Sequence, residues 1–458
     1  NTAANYKRVL QYDPLLKGAI RKNLLTERID IVKPLGWYRD SPTLTDVDVK
    51  YLLLYFEENY GLTVEKKIID AVAVIANENR YHPVCDFLNA LQWDGTERIR
   101  FCLHRFLGSD TDDYTYEALK LFLLGAISRA FKPGCKFEVM LCLVGGQGAG
   151  KSSFFRLLAV NDDWFSDDLK KLDDENVYRK MQGHWIIEMS EMIATANAKS
   201  IEEIKSFLSR QKETYKIPYE THPADRKRQC VFGGSSNTLD FLPLDRTGNR
   251  RFVPVMVYPE RAEVHILADE QASREYINQM WAEAMEIYRS GKFRLRFSPA
   301  MNAYLKAHQK DFMPEDTKAG QILDYLERYS GSMVCSKQLY KEALGHDYDE
   351  PKQWELREIN DIMNNAVTGW RAFSNPRYFP EPYRRQKGWE RIRNDNEPDN
   401  SMDGFQEIPT EEMEQLGLPE EWLKQNKSPL SLRLSSRLSV WLSGKNPESL
   451  DIAALFPL

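Results

Sequence analysis

Apolar positions along this chain fall into two patterns. In Tyr51–Tyr60, Ile68–Asn77 and Tyr114–Phe131 they recur every three or four residues, which predicts amphipathic helices. In Val139–Val144, His184–Ile187, Gln229–Gly233 and Phe252–Val257 they cluster in short unbroken runs, which predicts buried strands. Breaker clusters punctuate these elements at Pro34–Trp37, Asp40–Pro42, Trp93–Gly95 and Pro133-Gly134. Residues 1–105 therefore read as a helical amino-terminal domain and 106–300 as an α/β core. Helical patterns continue over Asp269–Ser290 and Pro299–Lys310. Three shorter helices follow, over Thr317–Ser330, Ser336–Leu344 and Pro351–Asn365, and then a ribbon from Val367 to Glu390. Three helices and a ribbon over 315–394 predict a winged helix whose third helix faces DNA.

The run Val139–Val144 leads straight into Gly145-Gly146-Gln147-Gly148-Ala149-Gly150-Lys151-Ser152-Ser153. Gly145, four residues, then Gly150-Lys151-Ser152 is a complete phosphate-binding loop pattern, set between a strand and a helix. Its glycines let backbone N–H groups turn toward an anion, and the following helix adds its positive end. Lys151 can reach the β- and γ-phosphates of ATP, and the Ser152 hydroxyl can ligate Mg²⁺.

The apolar strand His184–Ile187 ends in Glu188-Met189-Ser190-Glu191. A carboxylate at the end of such a strand can hold the Mg²⁺ shell, and a second can polarise the attacking water. Glu188 takes the metal side; either Glu191 or Glu188 polarises the water. Asn237, at the end of the next strand, suits a sensor of the γ-phosphate or the water. Arg250 and Arg251, just before the strand Phe252–Val257, suit stabilisation of transition-state charge, in cis or from a neighbouring subunit.

From Lys205 to Arg228 there are seven Lys or Arg and three acids, with Tyr215 and Tyr219 among them. Cations interleaved with aromatics suit a strand of nucleic acid, and the expected contacts are Lys212, Lys216, Tyr219, Arg226, Lys227 and Arg228. Arg384, Arg385 and Lys387 sit where the wing would meet phosphates. Such patches matter because the whole chain carries a net charge of −6, which argues against a globally cationic DNA binder. Asp395–Glu421 holds ten acids and no Lys or Arg, an acidic linker or tail, and Ser428–Leu458 is apolar and Ser-rich. His82 has no companion ligand nearby and reads as structural.

Several ordered blocks resemble the virulence-associated protein E family of phage and mobile-element ATPases. They are Gly145–Ser153, Trp185–Glu191, Lys205–Glu220 and Thr247–Val255, with Tyr81–Ile99 and Phe131–Gly148 upstream. The resemblance implies an AAA+-like core similar to superfamily 3 helicases and primase-helicases. It implies Lys151 and Ser152 as Walker A, Glu188 and Glu191 as Walker B, Asn237 as sensor 1, and Arg250 or Arg251 as arginine finger. It also implies a homo-oligomeric ring such as a hexamer on single- or double-stranded DNA, with a primase or replication initiator as a further partner.

The six cysteines, Cys85, Cys102, Cys135, Cys142, Cys230 and Cys335, show no metal-ligand spacing and read as free thiols in a reducing cytoplasm. No apolar run approaches the ~18 residues that span a bilayer. The chain starts at Asn1, which suits the back part of a longer protein. The expected function is an ATP-hydrolysing DNA motor, a replicative helicase of a phage or mobile element. The alternative is a nucleotide-switched regulatory or defence ATPase that binds DNA or a partner without unwinding.

Overall fold

A computed structural model describes residues 2–169, 172, 177–190, 198–215, 224–242 and 249–392. Glu191, Lys216, Tyr219, the acidic stretch 395–421 and the tail 428–458 lie outside them.

The first 81 residues hold α1 (Ala3–Tyr12), β1 (Ile20–Asn23), β2 (Ile29–Ile31), α2 (Asp46–Tyr60), α3 (Glu65–Glu78) and β3 (Arg80–Tyr81). The helices at residues 51–60 and 68–77 are present, within longer spans. A three-stranded sheet, β2-β1-β3, stands beside them, so this part is not wholly helical. Its strands are two to four residues long, too short to leave a periodic signal. Tyr6, Leu10, Ile20, Leu52, Phe56, Ile68 and Val72 share one apolar cluster here.

Helices α4 (Pro83–Ala90), α5 (Ile99–Leu107) and α6 (Asp113–Phe131) pack instead into the cluster of the central sheet. The division expected at residue 105 therefore falls inside α5. His82 is structural: its Nδ1 accepts from the Cys85 N–H at 3.3 Å, capping α4. That leaves Nε2 as the donor to Gln229 Oε1 at 2.7 Å.

The central sheet contains β4 (Met140–Val144), β5 (Phe165–Ser166), β6 (Ile186–Glu188), β9 (Val231–Ser236) and β10 (Phe252–Met256). A small antiparallel pair, β7 (Lys212–Tyr215) and β8 (Ala224–Lys227), lies between β6 and β9 in sequence. The central order is β10-β4-β9-β6-β5, and every pairing is parallel. Helices α7 (Lys151–Leu158), α8 (Val177–Met181) and α9 (Ala198–Leu208) fall between these strands, and α10 (Glu270–Ser290) and α11 (Pro299–His308) follow.

Burial on both faces explains the unbroken apolar runs. Leu141 and Leu143 of β4 enter one cluster with α4 to α7 and α10. Met140, Cys142 and Val144 enter a second cluster across the sheet, with Ile204, Phe207 and Leu208 of α9. Ile186 and Ile187 of β6 divide the same way, as do Val231 and Phe232 of β9. Successive side chains leave opposite faces of a strand, so a strand covered on both faces must be apolar throughout.

Beyond α11 come α12 (Thr317–Arg328), β11 (Met333–Cys335), α13 (Ser336–Gln338), a π-helical turn Leu339–Ala343 and α14 (Gln353–Asn365). Then follow β12 (Trp370–Ala372), β13 (Arg377–Phe379), β14 (Arg384–Gln386) and β15 (Gly388–Arg391). Three of these strands make the sheet β11-β15-β12, while β13 and β14 form a separate ribbon. Ile322, Val334, Leu339, Ile359, Ile362 and Trp389 form the core of this region. Among the described residues no helix is long and apolar enough to cross a membrane.

Candidate active site

Parallel strands bring their carboxyl-terminal ends to one edge, where the loops that follow them meet. β4 ends at Val144, β9 at Ser236 and β6 at Glu188, and all three ends adjoin.

The loop after β4 turns through Gly148 and Gly150, each at φ +80°, a conformation that a side chain would strain. Gly150 is the residue before α7, so the loop feeds the amino terminus of that helix. Ala149 is buried, while Gly146, Gln147 and Gly148 form the exposed crest. Ser153 sits half-buried in the first turn of α7.

Lys151 is buried, and its ammonium is satisfied three times over. It donates to Gly145 O at 2.8 Å, to Gly146 O at 2.7 Å and to Asn237 Oδ1 at 2.9 Å. Burial lowers its pKa, against the pull of the Glu188 charge. The expected lysine and sensor asparagine thus touch, although 86 positions separate them in sequence. Asn237 itself is exposed, just past the end of β9.

Glu188 is 1% exposed. Its Oε1 accepts from Ser152 Oγ at 2.8 Å and from Ser235 Oγ at 2.6 Å. Its Oε2 is buried, with no hydrogen-bond partner among the described residues. Burial raises the pKa of Glu188, and the two serine hydroxyls and Lys151 oppose that rise. A carboxylate held this way carries a large desolvation cost with one oxygen unmet. The residues fit a divalent cation: a hydroxyl and a carboxylate, hard oxygen donors, face each other with one carboxylate oxygen free.

Two neighbours of Glu188 were not among the expected site residues. Ser235 lies two positions before Asn237, and a hydroxyl near the carboxyl end of an otherwise apolar strand was its only signal. Asp167 follows β5, and its charge works with burial to raise the pKa of Glu188. Only the strand order places these residues beside Glu188.

The arginines stand elsewhere. β10 runs parallel to β4, with Phe252 level with Met140 and Met256 level with Val144. Arg250 and Arg251 precede Phe252, so they lie at the end of the sheet away from their own phosphate loop. The length of a five-residue strand, about 15 Å, separates the two ends. This overturns action in cis. Arg250 is exposed, with Glu138 Oε1 at 3.4 Å. Arg251 donates to Ser209 Oγ at 3.0 Å and is tethered by Glu138.

The basic stretch is also corrected in part. Arg228 is 3% exposed, donates to Phe207 O at 2.6 Å and to Glu213, and lies over the rings of Phe207 and Phe232. Arg226 is ion-paired with Glu27 and largely shielded. Neither guanidinium faces outward for phosphate: Arg228 ties the end of β8 to β7 and α9, and Arg226 ties β8 to the turn between β1 and β2. Lys227 and Lys212 are exposed, Lys212 beside Asp225. On the ribbon, Arg384, Arg385 and Lys387 are all exposed.

The family model of the virulence-associated protein E-like domain matches residues 88–314, the span that carries every element of this site. Residues 88–314 are a virulence-associated protein E-like domain. The domain takes in the central sheet, the phosphate loop and helices α5 to α11. An apo structure of the NrS-1 C-terminal region is 13% identical, with a TM-score of 0.45, covering 81% of this chain and 95% of that one. An A-form apo structure of the same region gives the same identity and score and is covered over 96% of its length. These two likenesses are too distant to bear on function. No curated protein matches the chain.

Proposed function

We propose that this chain is an ATP-hydrolysing DNA motor, a replicative helicase of a phage or other mobile genetic element, which works as a homo-oligomeric ring. One observation carries the ATPase reading: Lys151, Ser152, Glu188 and Asn237 converge where three parallel strands end. A bound Mg²⁺ would supply charge against the β- and γ-phosphate oxygens. Ser152 and Glu188 would hold it. On nucleotide binding the Lys151 ammonium exchanges the loop carbonyls for phosphate oxygens, which frees Asn237 to orient the attacking water. Glu188, or Glu191 beyond it, polarises that water.

The remote position of Arg250 suits a finger reaching the site of the next subunit, which makes a ring the natural assembly. The order β11-β15-β12, with α12 to α14 and the β13–β14 ribbon, supports a winged helix. DNA contact rests on the exposed cations Lys212, Lys227, Arg384, Arg385 and Lys387. A primase or replication initiator is the further partner that this role calls for.

The test is ATP hydrolysis with and without single-stranded DNA, wild type beside Lys151→Ala, with mass measured in the same buffer. DNA-stimulated turnover by an oligomer, abolished in Lys151→Ala, is expected. DNA-indifferent turnover by a monomer would replace the motor with a nucleotide-switched regulator. Turnover retained in Lys151→Ala would sink the ATPase assignment.

A further inference from the structure

Asp167 follows directly on β5, and the reading above gives it no task. β5 lies parallel to β6, with Phe165 level with Ile186 and Ser166 level with Ile187. One further step along that register brings Asp167 level with Glu188, at the edge where the phosphate loop lies. Neighbouring strands run about 4.8 Å apart, so two carboxylates stand close enough to share one ion and its water. Asp167 is exposed, and its charge acts on Glu188. The next residue, Asp168, is engaged by Lys180 at 3.4 Å.

Like charges on adjacent strand ends repel. Lys151 balances them only in part: its charge favours the ionised Glu188, but its ammonium donates to Gly145 O, Gly146 O and Asn237 Oδ1 and to neither carboxylate. Glu188 also keeps a buried oxygen without a partner. What this edge lacks is a compact positive charge able to take several oxygen ligands. A hydrated divalent cation meets that need, and water carried on Mg²⁺ usually meets protein through outer carboxylates.

Building on the ATPase reading, we propose that Asp167 is a positioning residue of the site. Its carboxylate accepts hydrogen bonds from water carried by the cation that Ser152 and Glu188 hold, and so fixes the cation against the nucleotide. Asp167, from a different strand, therefore joins in holding the cation, a duty that the sequence pattern places on Ser152 and Glu188.

The experiment compares wild type, Asp167→Asn, Asp167→Glu and Asp168→Asn as full chains. A fluorescent ATP analogue is titrated at equilibrium over a range of Mg²⁺ concentrations and without Mg²⁺, and hydrolysis is followed over the same range. Asp167→Asn should bind the analogue like wild type without Mg²⁺, yet need about tenfold more Mg²⁺ for tight binding and for half-maximal turnover. Asp167→Glu should recover part of that loss, and Asp168→Asn should match wild type. A Mg²⁺ midpoint unchanged in Asp167→Asn, or shifted as far in Asp168→Asn, overturns the role of Asp167 alone. If wild type neither binds nor hydrolyses nucleotide, the ATPase reading falls and takes this role with it. Melting curves guard against misfolding; the exposure of Asp167 makes an unchanged midpoint the expected result.

Discussion

The Ser152 hydroxyl donates to Glu188 Oε1 across 2.8 Å, joining the first turn of α7 to the end of β6. Ser235 gives the same oxygen a second hydrogen bond at 2.6 Å. Both favour the ionised carboxylate against its burial. Ser235→Ala should therefore raise the pKa of Glu188 further and move the acid limb of kcat to higher pH. Near that limb the rate should fall about fivefold, the equivalent of one ~1 kcal/mol hydrogen bond. A pH–rate profile of the two proteins checks this; superimposable limbs would mean that Glu188 does not titrate in the reaction.

Lys151→Ala removes the side chain placed to exchange loop carbonyls for phosphate oxygens. Turnover should fall by at least about 10²-fold, as when one transition-state donor is lost. Phosphate release at saturating ATP measures it. Substitution by Arg should not rescue, because a planar fork does not fit the pocket made by Gly145 O, Gly146 O and Asn237 Oδ1.

Glu188→Gln should abolish turnover and yet stabilise the nucleotide-free protein. Burial keeps the Glu188 proton on to higher pH than in the unfolded chain. Below the ordinary carboxylate range both states are protonated, and ionisation costs folding nothing. As pH rises through the folded value, wild type loses stability that the glutamine variant keeps. The gain should be ~1–3 kcal/mol at pH 8 and vanish at low pH, read by denaturant titration at both.

Arg228 and Lys227 are adjacent but should behave oppositely. Arg228→Ala leaves the buried Glu213 to the more distant Arg210, at 3.7 Å, and should cost about 3 kcal/mol of stability. Lys227→Ala should change stability by under ~0.5 kcal/mol, weaken DNA binding and lower its salt slope by about one. Urea melts and salt-dependent anisotropy separate the two. An affinity and a salt slope unchanged from wild type in Lys227→Ala would remove this residue from the interface.

Arg250→Ala/Arg251→Ala protein keeps an intact nucleotide edge, and Glu188→Ala protein keeps intact arginines. Mixing the two should restore a fraction of the wild-type rate if a subunit lends its arginine to the next. Turnover by the arginine variant alone, as a dilute monomer, would exclude that role. Arg251→Ala should also lower the melting temperature by a few degrees, since Ser209 and Glu138 lose a partner.

Much of the site was legible because its chemistry is local. A phosphate loop is one continuous turn, so Gly145 to Ser152 announce themselves in order. Glu188 was legible as a carboxylate ending an apolar run. Asn237 was legible as a polar tip, but its contact with Lys151 was not. Arg226 and Arg228 misled because a basic run looks the same whether its side chains face solvent or pair inward. Glu27, which holds Arg226, is nearly two hundred positions away, and no local pattern announces such a partner. Short strands also escaped notice: β1, β2 and β3 are held by their pairing and by Tyr6, Leu10 and Phe56, not by their own propensity.

The sequence by itself determined the phosphate loop, the apolar strands that must be covered on both faces, and most helices of the virulence-associated protein E-like domain. Each follows from contacts within a few residues or from a periodicity that burial imposes. Tertiary structure alone decided which strands adjoin. That order set Ser235 and Asp167 beside Glu188, turned Arg228 into the core, and carried Arg250 to the far end of the sheet. These outcomes depend on pairing between segments far apart in the chain, where register and burial, not local composition, fix what each side chain meets.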